Sequence, residues 1–521
     1  MLFLGNIVTD GARKYPERVA VVFRDTKITY RELEEGVQTL ADTLRTLGIG
    51  RGDRIGILMP NCPQAISAYF AAQMCGAVVV PVNPLLKPAE LQYIWGDANV
   101  RVVLTVAPLA TGARTAQEGL PNLAHILVVD PAQPLSALTP ANLAPPMPIL
   151  IVDGVGAERA VENIGHITKE DDCAVIIYTS GTTGHPKGAM LSHRNLVRNV
   201  QQVQALLKFQ LTDSFLTVLP LFHSFAMTVC QNLALSEGCT MVILEQFSPT
   251  KAYEIMLEHG VTVMPGVPAL FNALLQLFAT GGKSLPKLRL AVSGGAPLPV
   301  ELLAAVEKTL GIPVLEGDGP TECSPVTSVN PPDGVRKPGS VGVPLPGVDV
   351  AIFDEEDNPL PANAMGEIVV RGDNVMLGYL NQPEATAEVM TSGWYHTGDM
   401  GRIDEEGYVY IVDRKKDMII TAGFNVYPRE VEEVLLTHPA VGEACVIGVM
   451  DAKRGEEAVA VIVLKMGAAA TERELIAHCR ERMANYKAPR KVIFRESLPK
   501  GGKGVVVKRL LKKELEMEGL V

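Results

Sequence analysis

Eight short apolar runs punctuate the first three hundred residues: RIGILM from Arg54, GAVVVPV from Gly76, VRVVLTV from Val100, HILVVD from His125, CAVIIYT from Cys173, CTMVILE from Cys239, VTVMPG from Val261 and LRLAVSG from Leu288. They are near-continuous rather than alternating, the pattern of strands buried on both faces, and helix-like segments separate them. The spacing predicts parallel strands joined by crossover helices, an α/β architecture. One helix is well marked: Pro299 stands near its start, Leu302, Leu303, Val306 and Leu310 share a face, and Gly311 closes it. It follows RLAVSGGAP directly, giving strand, glycine turn, helix.

The pattern changes after about residue 345. VDVAIFDEEDNPLPANAMGEIVVRG reads as short antiparallel strands with turns at Asp357-Asn358 and Asn363-Ala364. Beyond GYVYIV and the charged DRKKD the chain starts afresh, with a capping box at Thr471 and Glu474 and a strand at EEAVAVIVL. A boundary is placed near residue 413, dividing a large N-terminal domain, 1–413, from a C-terminal one, 414–521. The proline- and alanine-rich PAQPLSALTPANLAPPMP reads as an exposed loop.

With 521 residues, two or more domains are the default, and a composition 47% hydrophobic and 20% charged is that of a soluble globular chain. A net charge of -11 argues against a nucleic-acid partner, since no basic stripe is available to neutralise a phosphate backbone. The eight cysteines form no C-x-x-C pair, so a reducing, cytoplasmic setting is expected. Neither a signal peptide nor a transmembrane helix is expected: MLFLGNIVTDGARKYPER lacks a basic n-region, and AAQMCGAVVVPVNPLL is broken by Gln, Gly, Pro and Asn.

The chemistry starts at YTSGTTGHPKG, residues 178 to 188. A Walker A loop needs lysine directly after glycine, but Lys187 follows Pro186; the Rossmann glycine pattern is missing as well. What remains is a loop in which Gly181 and Gly184 free the backbone. Its N–H groups and the hydroxyls of Thr179, Ser180, Thr182 and Thr183 can wrap an anion, with Lys187 near the end. A polyphosphate suits it; a hydroxyl-rich surface turn is the bland alternative.

YTSGTTGHPKGAMLSH resembles the phosphate loop of the adenylate-forming superfamily of acyl-CoA synthetases, adenylation domains and luciferases. LPLFHSFAM, SGGAPL, GDGPTE, WYHTGD, GYVYIVDRKKDMIITAGFNVYPREVE and LPK follow in the family order, over about residues 8 to 512. The resemblance implies a large domain of parallel α/β sheets with a small β-barrel-like part, and a small mobile α+β C-terminal domain. It implies activation of a carboxylate by ATP to an acyl-adenylate, release of pyrophosphate, and transfer of the acyl group to a thiol. Mg²⁺ is the implied cofactor, with ATP and coenzyme A as co-substrates.

By the same resemblance Thr179 and Glu322 hold the metal, and Thr321 touches the α-phosphate. Gly295, Ala296 and Pro297 line the adenine and acyl pockets. Asp399 and Arg414 hold the ribose, and His223 stands beside the substrate carboxylate. Lys416 is the implied hinge, with Gly423 and Phe424 on the pantetheine path.

Two positions depart from the family pattern. Asp318 stands where relatives carry an aromatic residue stacked on adenine, and Val505 falls where a lysine belongs. Sliding two places recovers Lys503 as the candidate lysine.

Within the superfamily the motifs look most like bacterial fatty acid–CoA ligases of the medium- to long-chain group. An aryl or alicyclic acid–CoA ligase, an acyl-AMP ligase serving a carrier protein, and a half-active acyl- or nucleotide-binding relative stay open. So do a homodimer and a peripheral membrane contact.

Overall fold

All eight apolar runs are strands, and the pairs they make among themselves are parallel. The computed structural model describes residues 3–139, 142, 168–179, 186–279, 281–421, 424–451, 455–483, 485–500 and 506–521, without the side chains of 416, 424, 425 and 455. The chain divides into two compact units: residues 1–350 with 370–395, and residues 351–369 with 396–521.

The first unit holds two sheets. One runs Gly378–Tyr379, Lys187–Ser192, Cys173–Thr179, Val78–Pro81, Arg54–Leu58, Val100–Val106, His125–Val129. The other has nine strands, with Leu290–Ser293 flanked by Val263–Gly266 and Val314–Asp318. Helices cover these sheets because their apolar stripes have nowhere else to go. In the helix Val300–Leu310, Leu303 and Val306 are buried, Leu302 and Leu310 pack against the same core, and Gly311 ends it in the left-handed conformation at φ 68°.

A π-helix, Ala226–Leu233, is buried at every residue and begins three positions after His223. Burial on every side, with Thr228, Gln231 and Asn232 among the apolar residues, left no periodicity to read. One expectation is corrected: the proline- and alanine-rich stretch is not wholly exposed, since Leu135 and Leu138 are buried in the core. They sit three apart around the 3₁₀ turn Leu135–Ala137, where side chains eclipse and make one apolar edge. Gly36 makes the room, for a Cβ there would lie 2.4 Å from that of Leu135. Residues 140, 141 and 143–148 of that stretch lie outside the described residues.

The second unit has a sheet running Phe424–Val426, Ile419–Thr421, Gly455–Leu464, Val441–Asp451, with Lys491–Phe494 parallel beside Gly455–Leu464. The expected capping box is present: Thr471 accepts from the Glu474 N–H while the Glu474 carboxylate accepts from the Thr471 N–H. DRKKD is more than a solvated run. Asp413 is buried, accepting from the N–H groups of Arg414 and Arg429, and Lys415 pairs with Glu367 at 2.9 Å.

Candidate active site

In the first unit, strand pairing brings the two ends of the phosphate loop together. The register sets Thr179 opposite Lys187, where the antiparallel strands meet. Ser180, Gly181, Thr182, Thr183 and Gly184, between them, lie outside the described residues. Glu322 arrives from another sheet, in a 3₁₀ turn after the strand Val314–Asp318. It is buried, and its Oε1 accepts from the Tyr379 hydroxyl at 2.9 Å and the Thr179 hydroxyl at 3.3 Å. The Lys187 ammonium lies 5.2 Å from the centre of the Tyr379 ring, within range of a cation–π attraction.

The turn is pinned along its backbone. The Met376 N–H donates to the Glu322 carbonyl at 2.7 Å, and the Asn374 amide donates to the Cys323 carbonyl at 3.0 Å. The Thr321 hydroxyl stands 3.2 Å from that of Ser224, which neighbours His223. Thr179, Lys187, His223, Thr321 and Glu322 therefore belong to one neighbourhood. Sequence reading missed Tyr379, 57 residues beyond Glu322, and nothing in "GYL" marks it. Burial, reinforced by the nearby carboxylate, pushes its hydroxyl well above the usual tyrosine range, so it stays a donor.

A cavity opens beside this cluster, lined by His223, Ser224, Gly295, Asp318 and the apolar side chains of Val203, Leu207, Phe225, Val229, Val326 and Val329. Among the described residues no lysine or arginine lines it. The His223 Nδ1 accepts from the Phe225 N–H at 3.3 Å, which leaves the proton on Nε2. Gly295 adopts φ +74°, and Gly319 is required by close approach, since a Cβ there would fall 1.6 Å from the Pro325 carbonyl oxygen. Ala296 is half-buried and Pro297 exposed; the Leu298 N–H, bonded to Glu316 at 3.0 Å, anchors this loop.

In the second unit Asp399 and Arg414 face each other across antiparallel strands, with Nε of Arg414 2.7 Å from Oδ1 of Asp399. A bulge between Met400 and Gly401 makes that pairing: the register that joins Ile403 to Val409 would otherwise set Asp399 against Asp413. Two side chains fix the approach to Asp399. The Thr397 hydroxyl donates to the Ile368 carbonyl at 2.7 Å and accepts from the Asp399 N–H at 3.0 Å. Glu367 accepts from the Gly398 N–H at 3.0 Å and from Lys415, with His396 Nδ1 at 3.3 Å.

Lys416 lies in the 3₁₀ turn Lys415–Asp417, and Phe424 begins a strand; their side chains, and Gly423, fall outside the described residues. So do Lys503 and Val505, although a bridge between Lys500 and Val506 closes the ends of their segment.

One carboxylate and one hydroxyl, Glu322 and Thr179, form a hard oxygen donor set that suits Mg²⁺, which completes its shell from phosphate oxygens and water. No cluster of three or more His, Cys, Asp or Glu able to hold a metal by itself occurs among the described residues.

A buried carboxylate and hydroxyl beside a cavity with an apolar wall suit an enzyme that handles an anionic group and an apolar one side by side. The chain belongs to the AMP-binding enzyme family: that family's model matches residues 8–380, and the AMP-binding enzyme C-terminal domain matches residues 430–504. A long-chain-fatty-acid–CoA ligase of Bacillus subtilis is 38% identical, over 98% of this chain and 95% of that protein. The ATP-bound MatB of Rhodopseudomonas palustris superposes with a TM-score of 0.88 at 34% identity, covering 99% of both chains. The o-succinylbenzoate CoA synthetase of Bacillus subtilis, in complex with its acyl-adenylate intermediate, gives 0.83 at 29% identity, covering 97% of this chain and 98% of that one. Among the described residues no helix is long and apolar enough to cross a membrane, and all eight cysteines are free thiols.

Proposed function

We propose that the protein is an ATP-dependent acyl-CoA synthetase acting on medium- to long-chain fatty acids. The carboxylate attacks the α-phosphate of ATP, forming acyl-AMP and releasing pyrophosphate. The coenzyme A thiol then gives up its proton and displaces AMP, leaving acyl-CoA. The observation that carries the substrate class is the cavity wall: valines, a leucine and a phenylalanine, with no cation among the described residues to hold a second carboxylate. The likeness to long-chain-fatty-acid–CoA ligases over nearly the whole chain supports it. An aryl or alicyclic acid fits an apolar wall too, and chain profiling separates the readings.

The residues divide the work. The loop 180–185 and Lys187 cradle the β- and γ-phosphates, the leaving group, while Thr321 reaches the α-phosphate. Mg²⁺ held by Thr179 and Glu322 would neutralise phosphate charge. Asp399 accepts from the ribose hydroxyls and Arg414 steadies it. His223, with its proton on Nε2, donates to the substrate carboxylate and orients it; no base is needed, because a carboxylic acid is already ionised at neutral pH. Gly295, Ala296, Pro297 and Asp318 border the base and acyl chain. Lys416 is the pivot between half-reactions, Gly423 and Phe424 line the thiol's path, and the C-terminal domain beyond residue 413 is the part that turns. Free thiols throughout suit a cytoplasmic enzyme.

The test is acid-dependent ATP–pyrophosphate exchange over acids from acetate to palmitate, on the wild type and Lys503→Ala. Exchange that peaks between C8 and C16 and collapses in the variant is expected. An aromatic or short-chain optimum moves the substrate class, and exchange with no acid overturns the ligase reading. Thioester formation compared on coenzyme A and on a carrier protein settles the acceptor.

A further inference from the structure

Among the described residues Glu322 is tethered by one oxygen. Its Oε1 accepts from both Tyr379 and Thr179, whereas among the described residues no hydrogen bond reaches Oε2. The Thr179 hydroxyl has one proton, for which Oε1 at 3.3 Å is a nearer acceptor than the Lys187 carbonyl at 3.5 Å, and its lone pairs stay available for a cation. The two hydroxyls thus saturate one carboxylate oxygen and leave an unengaged oxygen on each metal-ligating residue.

We propose that Tyr379 is a positioning residue for the divalent cation: its hydroxyl locks Oε1 of Glu322, leaving Oε2 as a single preset ligand. The inference rests on the ligase reading above and adds a residue to it.

Tyr379 is built to be immobile. Its strand pairs with Lys187–Ser192, placing Tyr379 opposite Ala189. Its N–H donates to the Thr386 hydroxyl at 2.8 Å, and its hydroxyl interacts with that of the buried Tyr395. The Lys187 ammonium sits over its ring. A rigid phenol joined to the end of the phosphate loop and to the metal-holding carboxylate keeps the two in fixed relation. Outer partners of this kind govern how well a ligand is presented, and losing one typically weakens metal affinity tenfold or more.

The experiment uses the full-length protein and titrates Mn²⁺ calorimetrically in the presence of α,β-methylene-ATP. Tyr379→Phe keeps the ring and its contact with Lys187 but removes the hydroxyl. Its apparent Mn²⁺ affinity is expected to fall by about tenfold, with nucleotide affinity at saturating metal little changed. Tyr395→Phe, which removes the hydroxyl that interacts with that of Tyr379, is expected to shift it the same way but less, and decides the matter if Tyr379→Phe does not fold. Ion-dependent nucleotide binding in the wild type, unchanged in the variants, overturns this inference alone. No ion-dependent binding in the wild type overturns the ligase reading and this inference with it.

Discussion

Asp399 shows how much a single side chain can be asked to do. It is buried, faces Arg414 at 2.7 Å, and receives its orientation from Thr397 through its own N–H. An ionised carboxylate offers acceptors to two vicinal hydroxyls at once, whereas an amide offers one and turns a donor toward the other. Asp399→Asn also removes the carboxylate charge that Arg414 faces. Hydrogen bonds to charged groups contribute about 1.5–3 kcal/mol, so the KM for ATP is expected to rise by roughly ten- to a hundredfold. The readout that separates ribose binding from mere structural support is 2′-deoxy-ATP. The wild type should discriminate against it and the variant should not; equal discrimination in both would remove Asp399 from the ribose site.

At the scale of elements, Glu367 holds together the segment that carries Asp399. Burial alone would raise its pKa, but the Lys415 hydrogen bond and charge, with His396 and the Gly398 N–H, outweigh burial and hold it below the ordinary 4.5. A carboxylate depressed in the folded state contributes stability that is present above its unfolded pKa and lost as pH falls through the folded value. Glu367→Gln keeps an acceptor for Gly398 but no charge for Lys415. The gap in melting temperature between wild type and variant is therefore expected to be widest above about pH 4.5 and to close below it. A gap independent of pH would show that the charge contributes nothing.

Much of this level was legible in the chain. Continuous apolar runs announce buried strands, and all eight became strands. Thr471 and Glu474 announced a capping box because both partners lie within one turn. The contacts that escaped are nonlocal or depend on register. The pairing of Asp399 with Arg414 hangs on a single bulge, and Tyr379 meets Glu322 only because strands from separate parts of the chain converge. Leu135 and Leu138 were hidden by the prolines and alanines around them.

At the scale of the molecule, two half-reactions must share one adenylate. The first needs charge neutralised at the α-phosphate, and the second needs a thiol brought to the acyl carbonyl. Different groups serve these needs, and the proposed turn of the C-terminal domain would exchange them. The pivot assigned to Lys416 falls within the 3₁₀ turn Lys415–Asp417, directly after Lys415, which is anchored to Glu367. Proline at 416 would clamp φ near −65° and resist the turn. Lys416→Pro is therefore expected to keep ATP–pyrophosphate exchange while losing thioester formation from supplied acyl-adenylate, measured on the same preparation. If exchange and thioester formation instead decline together, the substitution has disturbed a shared site, and rotation about Lys416 is not what divides the two steps.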